Sequence, residues 1–443
     1  MKKSLFRDHL IPDDWNEIKL RQIFEFGKGL SITKDDLVED GVPVISYGQI
    51  HAKINTGTGL SDDLYRYVPD SYLRTGKKSI VKRNDFIFAD TSEDYAGIGN
   101  CAFVDRDDTI FAGYHSIIAR PVRKEIFPKY YAYLFLSDFW RDQIRANVMG
   151  IKVFSVTQKL LRDTFALVPP ADEQKRIADF LDKECAKYDS IIRDLENQVD
   201  LLTRYESSLI TGIVKSGINK DVPLSSTNIN WIGDIPAHWR VKKLRYLGSL
   251  QNGISKDAGS FGSGYPFISY GDVYNNIALP ESGSGLVEST NNERNTFSVQ
   301  YGDVFFTRTS ETIEEIGIAS TCLKTITDAT FAGFLIRFRP TTSDLCPIYS
   351  KYYFRAEMLR RYFVKEMMIV TRASLGQNLL KNLPVLLPPI EEQEEIGRYL
   401  DKRCSVIESI ISAKKKQITV MRSCRDALIY EYVTGKKRVK EGM

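Results

Sequence analysis

The chain has 443 residues, of which 43% are apolar and 27% charged, and it carries a formal net charge of +4. This is ordinary globular composition, long enough for two to four domains with their own cores, and it excludes a disordered or fibrous chain. The small positive balance permits nucleic acid without demanding it, because acids on helices can mask a local basic face.

Six scattered cysteines form no CxxC pair, and His9, His51, His115 and His238 show no ligand spacing. The cysteines read as small buried hydrophobes in a reducing compartment, and no structural zinc is read. The opening MKKSLFRDHLIPDDW has no apolar core, and no run of eighteen apolar residues occurs. A cytoplasmic protein without a membrane anchor is expected.

In chain order, the first half opens on IPDDWNEIKL (11–20), and IPAHWRVKKL (235–244) repeats it, with Pro12 and Trp15 matched by Pro236 and Trp239. Each proline-fixed turn and tryptophan is expected to act as a packing clamp. GVPVISYGQI (41–50) then matches GYPFISYGDV (264–273). Both read as strands, ending near Tyr47 and Tyr270, which are expected to pack rather than stack on bases. RNDFIFADTSE (83–93) matches YGDVFFTRTSE (301–311), with Asp85 and Asp303 in tight turns ahead of a strand. Further strands run through FAG (111–113 and 331–333) and end in RP (120–121 and 339–340).

An aromatic, helical-looking segment follows in each half, YYAYLFLSDFWRDQI (130–144) and YYFRAEMLRRYFVKEM (352–367). Next come SVTQKLLRDTFALVPP (155–170) and SLGQNLLKNLPVLLPP (374–389), where Ser155 and Ser374 can cap a short helix. The double prolines place Asp172 and Glu173, or Glu391 and Glu392, in the first turn of a long helix, where its dipole favours acids.

That long helix organises the chain. Leu181, Tyr188, Leu195, Leu202 and Leu209 form one seven-residue series, and Cys185, Ile192 and Val199 form the interleaved one. A stripe held for about four heptads implies a partner helix. The same stripe recurs 219 residues later at Leu400, Cys404, Ile407, Ile411, Ile418, Met421 and Leu428, with Lys414 and Arg425 as charged members. Those two weaken the seam locally, and either fix its register or face another protein. The order is body, helix, body, helix. The fold class read from this is α+β: two mixed α/β bodies separated by a pair of long antiparallel helices, an internal pseudo-twofold repeat. Bodies are expected at 1–154 and 229–373, with helical regions at 155–228 and 374–443.

Catalytic motifs are missing. Gly76-Lys77 and Gly435-Lys436 lack the glycine five positions ahead that a phosphate loop needs, and neither HExxH nor GxSxG occurs. The double prolines read VPPA and LPPI, without the amide and aromatic of an amino-methyltransferase step. Repetition without chemistry suggests two contacts at a fixed distance, which suits the recurring grooves of duplex DNA.

Candidate DNA contacts are basic and hydroxyl residues in turn-rich loops. In the first half they are Lys28, Ser31, Arg74, Lys77, Lys78, Lys82, Arg83, Thr91, Ser92 and, ahead of the short helix, Lys152. In the second they are Ser255, Lys256, Arg294, Arg308, Thr309, Ser310 and Arg372. Lysine positions the backbone, whereas arginine can fork onto guanine O6 and N7. Each can also be read as a solvated loop charge, the commoner state of charged turn residues. Glu93 and Glu311 can accept from cytosine N4 or hold a basic neighbour.

Taken together, the PxxW openings, the Tyr-Gly steps at 47–48 and 270–271, and the duplicated PPxxEQ junctions at 169–174 and 388–393 resemble the specificity subunit of type I restriction–modification systems. The resemblance spans essentially the whole chain. It implies a noncatalytic subunit with two target-recognition domains on a helical spacer, each reading one half of a split, asymmetric sequence in double-stranded DNA. It further implies two methyltransferase subunits, using S-adenosylmethionine, and two restriction subunits, using ATP and Mg2+, with no cofactor or metal in this chain. The competing reading is a scaffold joining two copies of a non-DNA partner.

Overall fold

The computed structural model describes residues 1–4, 10–123, 125–148, 150, 152–310, 315–366 and 373–439. The chain forms two compact units, Met1–Leu195 with Lys416–Met443, and Glu196–Lys415. Each unit therefore takes one body and a portion of both long helices.

The first body is built on two four-stranded sheets. One runs Cys101–Phe103, Phe86–Ala89, Ser116–Pro121, Phe24–Lys28, all antiparallel. The other runs Arg66–Val68, Val42–Ile45, Ile110–Ala112, Ile80–Val81, with the central pair parallel. The Phe86–Ala89 strand is buried on both faces, with Phe86 and Phe88 in one core cluster and Ile87 and Ala89 in another. This accounts for its unbroken apolar run.

The second body repeats the plan. Gly248–Asn252, Leu335–Pro340, Val304–Thr307 and Ala319–Thr321 form its four-stranded sheet, and Gly285–Val287, Phe261–Ile268 and Thr330–Phe331 a three-stranded one. In both bodies a buried ion pair ties the sheet together. Arg120 Nη2 lies 2.7 Å from Asp85 Oδ2, and Arg339 Nη2 lies 2.6 Å from Asp303 Oδ2. The tight-turn aspartate and the RP step thus belong to one device.

The aromatic segments fold as helix pairs, Pro128–Leu136 with Asp138–Arg145, and Pro347–Tyr353 with Glu357–Glu366. Their hydroxyls show the true register. Tyr130 Oη shares its one proton between Leu167 O and Val433 O, and Tyr349 Oη between Leu386 O and Val214 O. Tyr133 and Tyr352 donate to Asp182 and Asp401, at 2.5 and 2.7 Å. Tyr130 therefore corresponds to Tyr349, three residues away from the register that the two Tyr-Tyr pairs suggest.

The long helices run Ala171–Ser216 and Ile390–Val433. Leu181, Cys185, Ile192, Leu400, Cys404, Ile407 and Ile418 of the heptad series are buried, and Leu195, Val199, Leu202 and Leu209 half-buried. In the first unit Phe180 packs on Tyr432 and Asp189 Oδ1 lies 2.7 Å from Arg425 Nη1. In the second, Lys414 reaches Gln198 and Arg403 reaches Tyr205. Rising numbers on one helix meet falling numbers on the other, so the seam is antiparallel within each unit. Lys414 and Arg425 sit in it with polar partners, as a register device would. Each helix ends on a glycine at positive φ, Gly217 (71°) and Gly435 (70°). A Cβ there would meet Trp239 at 3.3 Å in one unit, and Pro12 at 2.5 Å in the other.

Two local expectations are corrected. Thr157, not Ser155, caps the helix Gln158–Asp163, accepting from Leu160 N, while Ser155 lies in a strand paired to Thr91. The residue capping Gln377–Asn382 is Gly376, and Ser374 is likewise in a strand. Tyr47 and Tyr270 do not end strands. They open short helices, Tyr47–Ile50 and Tyr270–Asn275, behind Ser46 and Ser269 at the N-cap positions, where Ser269 Oγ accepts from Asp272 N.

Candidate nucleic-acid interface

In the first unit, two crevices of about 540 and 510 Å³ meet at Thr91 and His115. Lys28 and Ser31 line the larger one, beside Asp90, Tyr114 and Gln158. Ser92, Tyr47 and His51 line the smaller.

The local chain explains these positions. Thr91–Ser92 leaves the central sheet and pairs with Phe154–Ser155, so both hydroxyl residues lie where two segments cross. His51 Nε2 is 2.8 Å from Thr91 O, and Asn100 Nδ2 is 3.1 Å from His51 Nδ1. With the tautomer that donates from Nε2, His51 holds Thr91 in place. Ser92 Oγ donates to Asp94 O and is buried, so it shapes the loop rather than presenting a free hydroxyl. Tyr47 is half-buried and packs edge-on against His51, Tyr114 and His115.

The other candidates separate into groups. Ser79 Oγ donates to Lys28 O at 3.1 Å, setting the turn that carries Lys77 and Lys78 against the strand end that carries Lys28. Arg74 is exposed in the preceding helix, Tyr72–Thr75. Lys152 is exposed next to Val153, which lines the smaller crevice. Lys82 and Arg83 precede the Phe86–Ala89 strand, at the end opposite Thr91, and Arg83 pairs with Asp107 at 3.1 Å. Among the described residues, Lys28, Arg74, Lys77, Lys78 and Lys152 have no ion-pair partner, which suits a phosphate-facing edge.

In the second unit, a Cβ on Gly333 would lie 2.5 Å from Ser255 Oγ, so Ser255 adjoins the turn carrying Phe334. Arg308 adjoins the same turn through the bond from Arg308 N to Phe334 O, and the Thr309 backbone pairs with Ser374. The backbone of Ser310 pairs with Ala373. Two candidates are engaged in their own body. Arg294 stacks 3.6 Å from the centroid of Tyr265 and bonds Ser289 and Asn291. Lys256 pairs with Glu293 at 2.7 Å, and with the Thr290 backbone holds that carboxyl down at about 2. Arg372 and Glu311 lie outside the described residues.

Sequence reasoning missed Asp90, His51, His115 and Gln158, and in the second body Phe334. One signal was present: FAGYHSIIARP (111–121) is one residue longer than FAGFLIRFRP (331–340). The longer turn holds His115 at φ 52°.

Among the described residues no group of histidines, cysteines and acids could hold a metal ion, and no helix is long and apolar enough to cross a membrane.

The model of the type I restriction modification DNA specificity domain matches residues 12–201 and 236–420. The chain is 25% identical to the EcoKI specificity subunit of Escherichia coli K12, covering 90% of this chain and 84% of that protein. It is 23% identical to a putative type I specificity subunit, MjaX, of Methanocaldococcus jannaschii, covering 97% and 95%. A chain solved in a study of complex assembly and conformational transition of the type I R-M system aligns with a TM-score of 0.68 at 17% identity. It covers 97% of this chain and 100% of that one, a likeness of fold.

Proposed function

This chain belongs to the type I restriction–modification DNA specificity family, and from that membership we propose that it reads a bipartite, asymmetric DNA target, one half with each body. The family assigns it a role in DNA recognition. Specificity subunits of these systems work with methylase and restriction subunits. In this reading the chain docks two of each and has no chemistry of its own. S-adenosylmethionine, ATP and Mg2+ belong to the partners.

The observation that carries the reading is the duplication itself. The family domain matches twice, and each copy builds the same sheet, the same buried Asp–Arg pair and the same threonine-bearing crossing beside an exposed turn. A frame kept twice with different loop chemistry is what two unlike half-sites require. The unpaired lysines near the first crevice would supply sequence-independent phosphate contacts.

The test is selection from a randomised duplex library by the full chain, alone and with its methyltransferase subunit. Enrichment of two half-sites at a fixed gap is expected, with affinity falling steeply as salt rises. Binding with no sequence enrichment, together with tight capture of two copies of a protein partner, would favour the scaffold reading instead.

A further inference from the structure

One backbone frame in the two bodies carries opposite chemistry. In the first body, Asp90 N donates to His115 O at 3.1 Å, and Val156 N donates to Asp90 O at 2.7 Å. In the second, Arg308 N donates to Phe334 O at 2.9 Å, and Leu375 N donates to Arg308 O at 2.7 Å. Asp90 and Arg308 each follow the central strand of their sheet, and each precedes the Thr-Ser step. They are the same position, holding a carboxylate in one body and a guanidinium in the other.

The facing turn differs in the same sense. His115 has a side chain 57% exposed, with Nδ1 3.1 Å from Asp90 Oδ1. Phe334 is 64% exposed, a large apolar ring left open on a turn that backbone bonds hold fixed. A single exposed ring is common on protein surfaces, but this one sits on the turn bonded to the Arg308 backbone. Among the described residues the Arg308 guanidinium has no ion-pair partner.

We propose that Asp90 and Arg308 are paired base-reading positions, and that they make the two half-sites chemically unlike. Arg308 donates two bonds to guanine O6 and N7 in the half-site of the second body, and Phe334 covers the methyl group of an adjacent thymine. Asp90 accepts from an exocyclic amine, cytosine N4 or adenine N6, in the half-site of the first body, and His115 orients its carboxylate. The chemistry follows from the groove edges: only guanine offers two acceptors to a forked donor, and only amine-bearing bases suit an acceptor-only carboxylate. The inference rests on the DNA-reading proposal and assigns residues to it.

The experiment repeats the library selection with Arg308→Ala, Arg308→Lys and Asp90→Asn in the full chain with its methyltransferase subunit. Arg308→Ala should lose preference for one guanine, on the order of tenfold to a hundredfold, in one half-site only. The unchanged other half-site reports within the same molecule that the protein is folded. Arg308→Lys keeps the charge and should still relax that guanine, because lysine lacks the fork. Asp90→Asn adds a donor and should admit guanine or thymine at one position of the other half-site. If wild type enriches a site and the variants keep every base preference, or weaken uniformly across sequences, the assignment is overturned while DNA reading stands. If wild type enriches no sequence, the DNA-reading proposal itself fails.

Discussion

Trp15 Nε1 donates a 3.1 Å hydrogen bond to Glu173 Oε2, 158 residues along the chain. Trp239 does the same to Glu392, also at 3.1 Å. The tryptophan of the PxxW opening and the glutamate of the PPxxEQ junction are therefore the two ends of one contact. The adjoining Gln174 accepts from Phe127 N and donates to Pro169 O, and Gln393 accepts from Cys346 N and donates to Pro388 O. Each junction fastens a long helix to its body, with Trp15, Glu173, Gln174, Trp239 and Gln393 buried and Glu392 half-buried.

Replacing Glu173 with alanine should leave the buried indole N–H without its partner. The expected cost is about 1–3 kcal/mol, read as an earlier denaturant midpoint for the first unit. Arg438, which also bonds Glu173, keeps Asp14 as a partner. An unchanged midpoint would show that the contact adds nothing to stability.

The ion pair between Asp85 and Arg120 should be more expensive to break, since Asp85 is fully enclosed. Arg120→Ala strands a buried carboxylate, and a loss of about 3 kcal/mol is expected. Replacing both residues together with apolar side chains of similar volume should restore much of it. Equal losses in the single and double variants would contradict this account.

Much of this frame was legible in the sequence, because periodicity and repetition are local or self-referential signals. The heptad series marked the seam from Leu181 onward, and the 219-residue offset named its partner. The pairing of Trp15 with Glu173, or of Asp85 with Arg120, was not legible, since no local pattern tells one polar residue which distant one it will meet. Site residues were harder still. Lys28, Ser31 and Thr91 were visible as basic or hydroxyl residues in loops. Asp90 and His115 were not, because an acid and a histidine at a strand end look like any surface polar pair until the chain brings them together.

The seam offers a measurable coupling. Arg425 and Asp189 are each about one-third exposed and face one another at 2.7 Å. A double-mutant cycle with Arg425→Ala and Asp189→Ala should give a coupling of about 1 kcal/mol, discounted from a buried pair by solvent screening. A coupling near zero would mean that Arg425 does not set the register of the two helices.

Thiol chemistry tests the same packing. Burial pushes the Cys101, Cys185 and Cys404 thiols up to about 12 and Cys322 up to about 11, while Cys424 is exposed. At pH 8 the four buried groups are essentially un-ionised, so alkylation of the native protein should start at Cys424. Mass spectrometry of partly alkylated protein resolves the order. Early labelling of Cys185 or Cys404 would contradict the buried heptad positions.

The most direct measurement is strand-resolved mapping of methylated bases in DNA modified by the chain together with a methyltransferase subunit. The account predicts one bipartite sequence whose two halves differ, separated by a fixed number of unread base pairs. A palindromic site, or methylation without a second half-site, would contradict it.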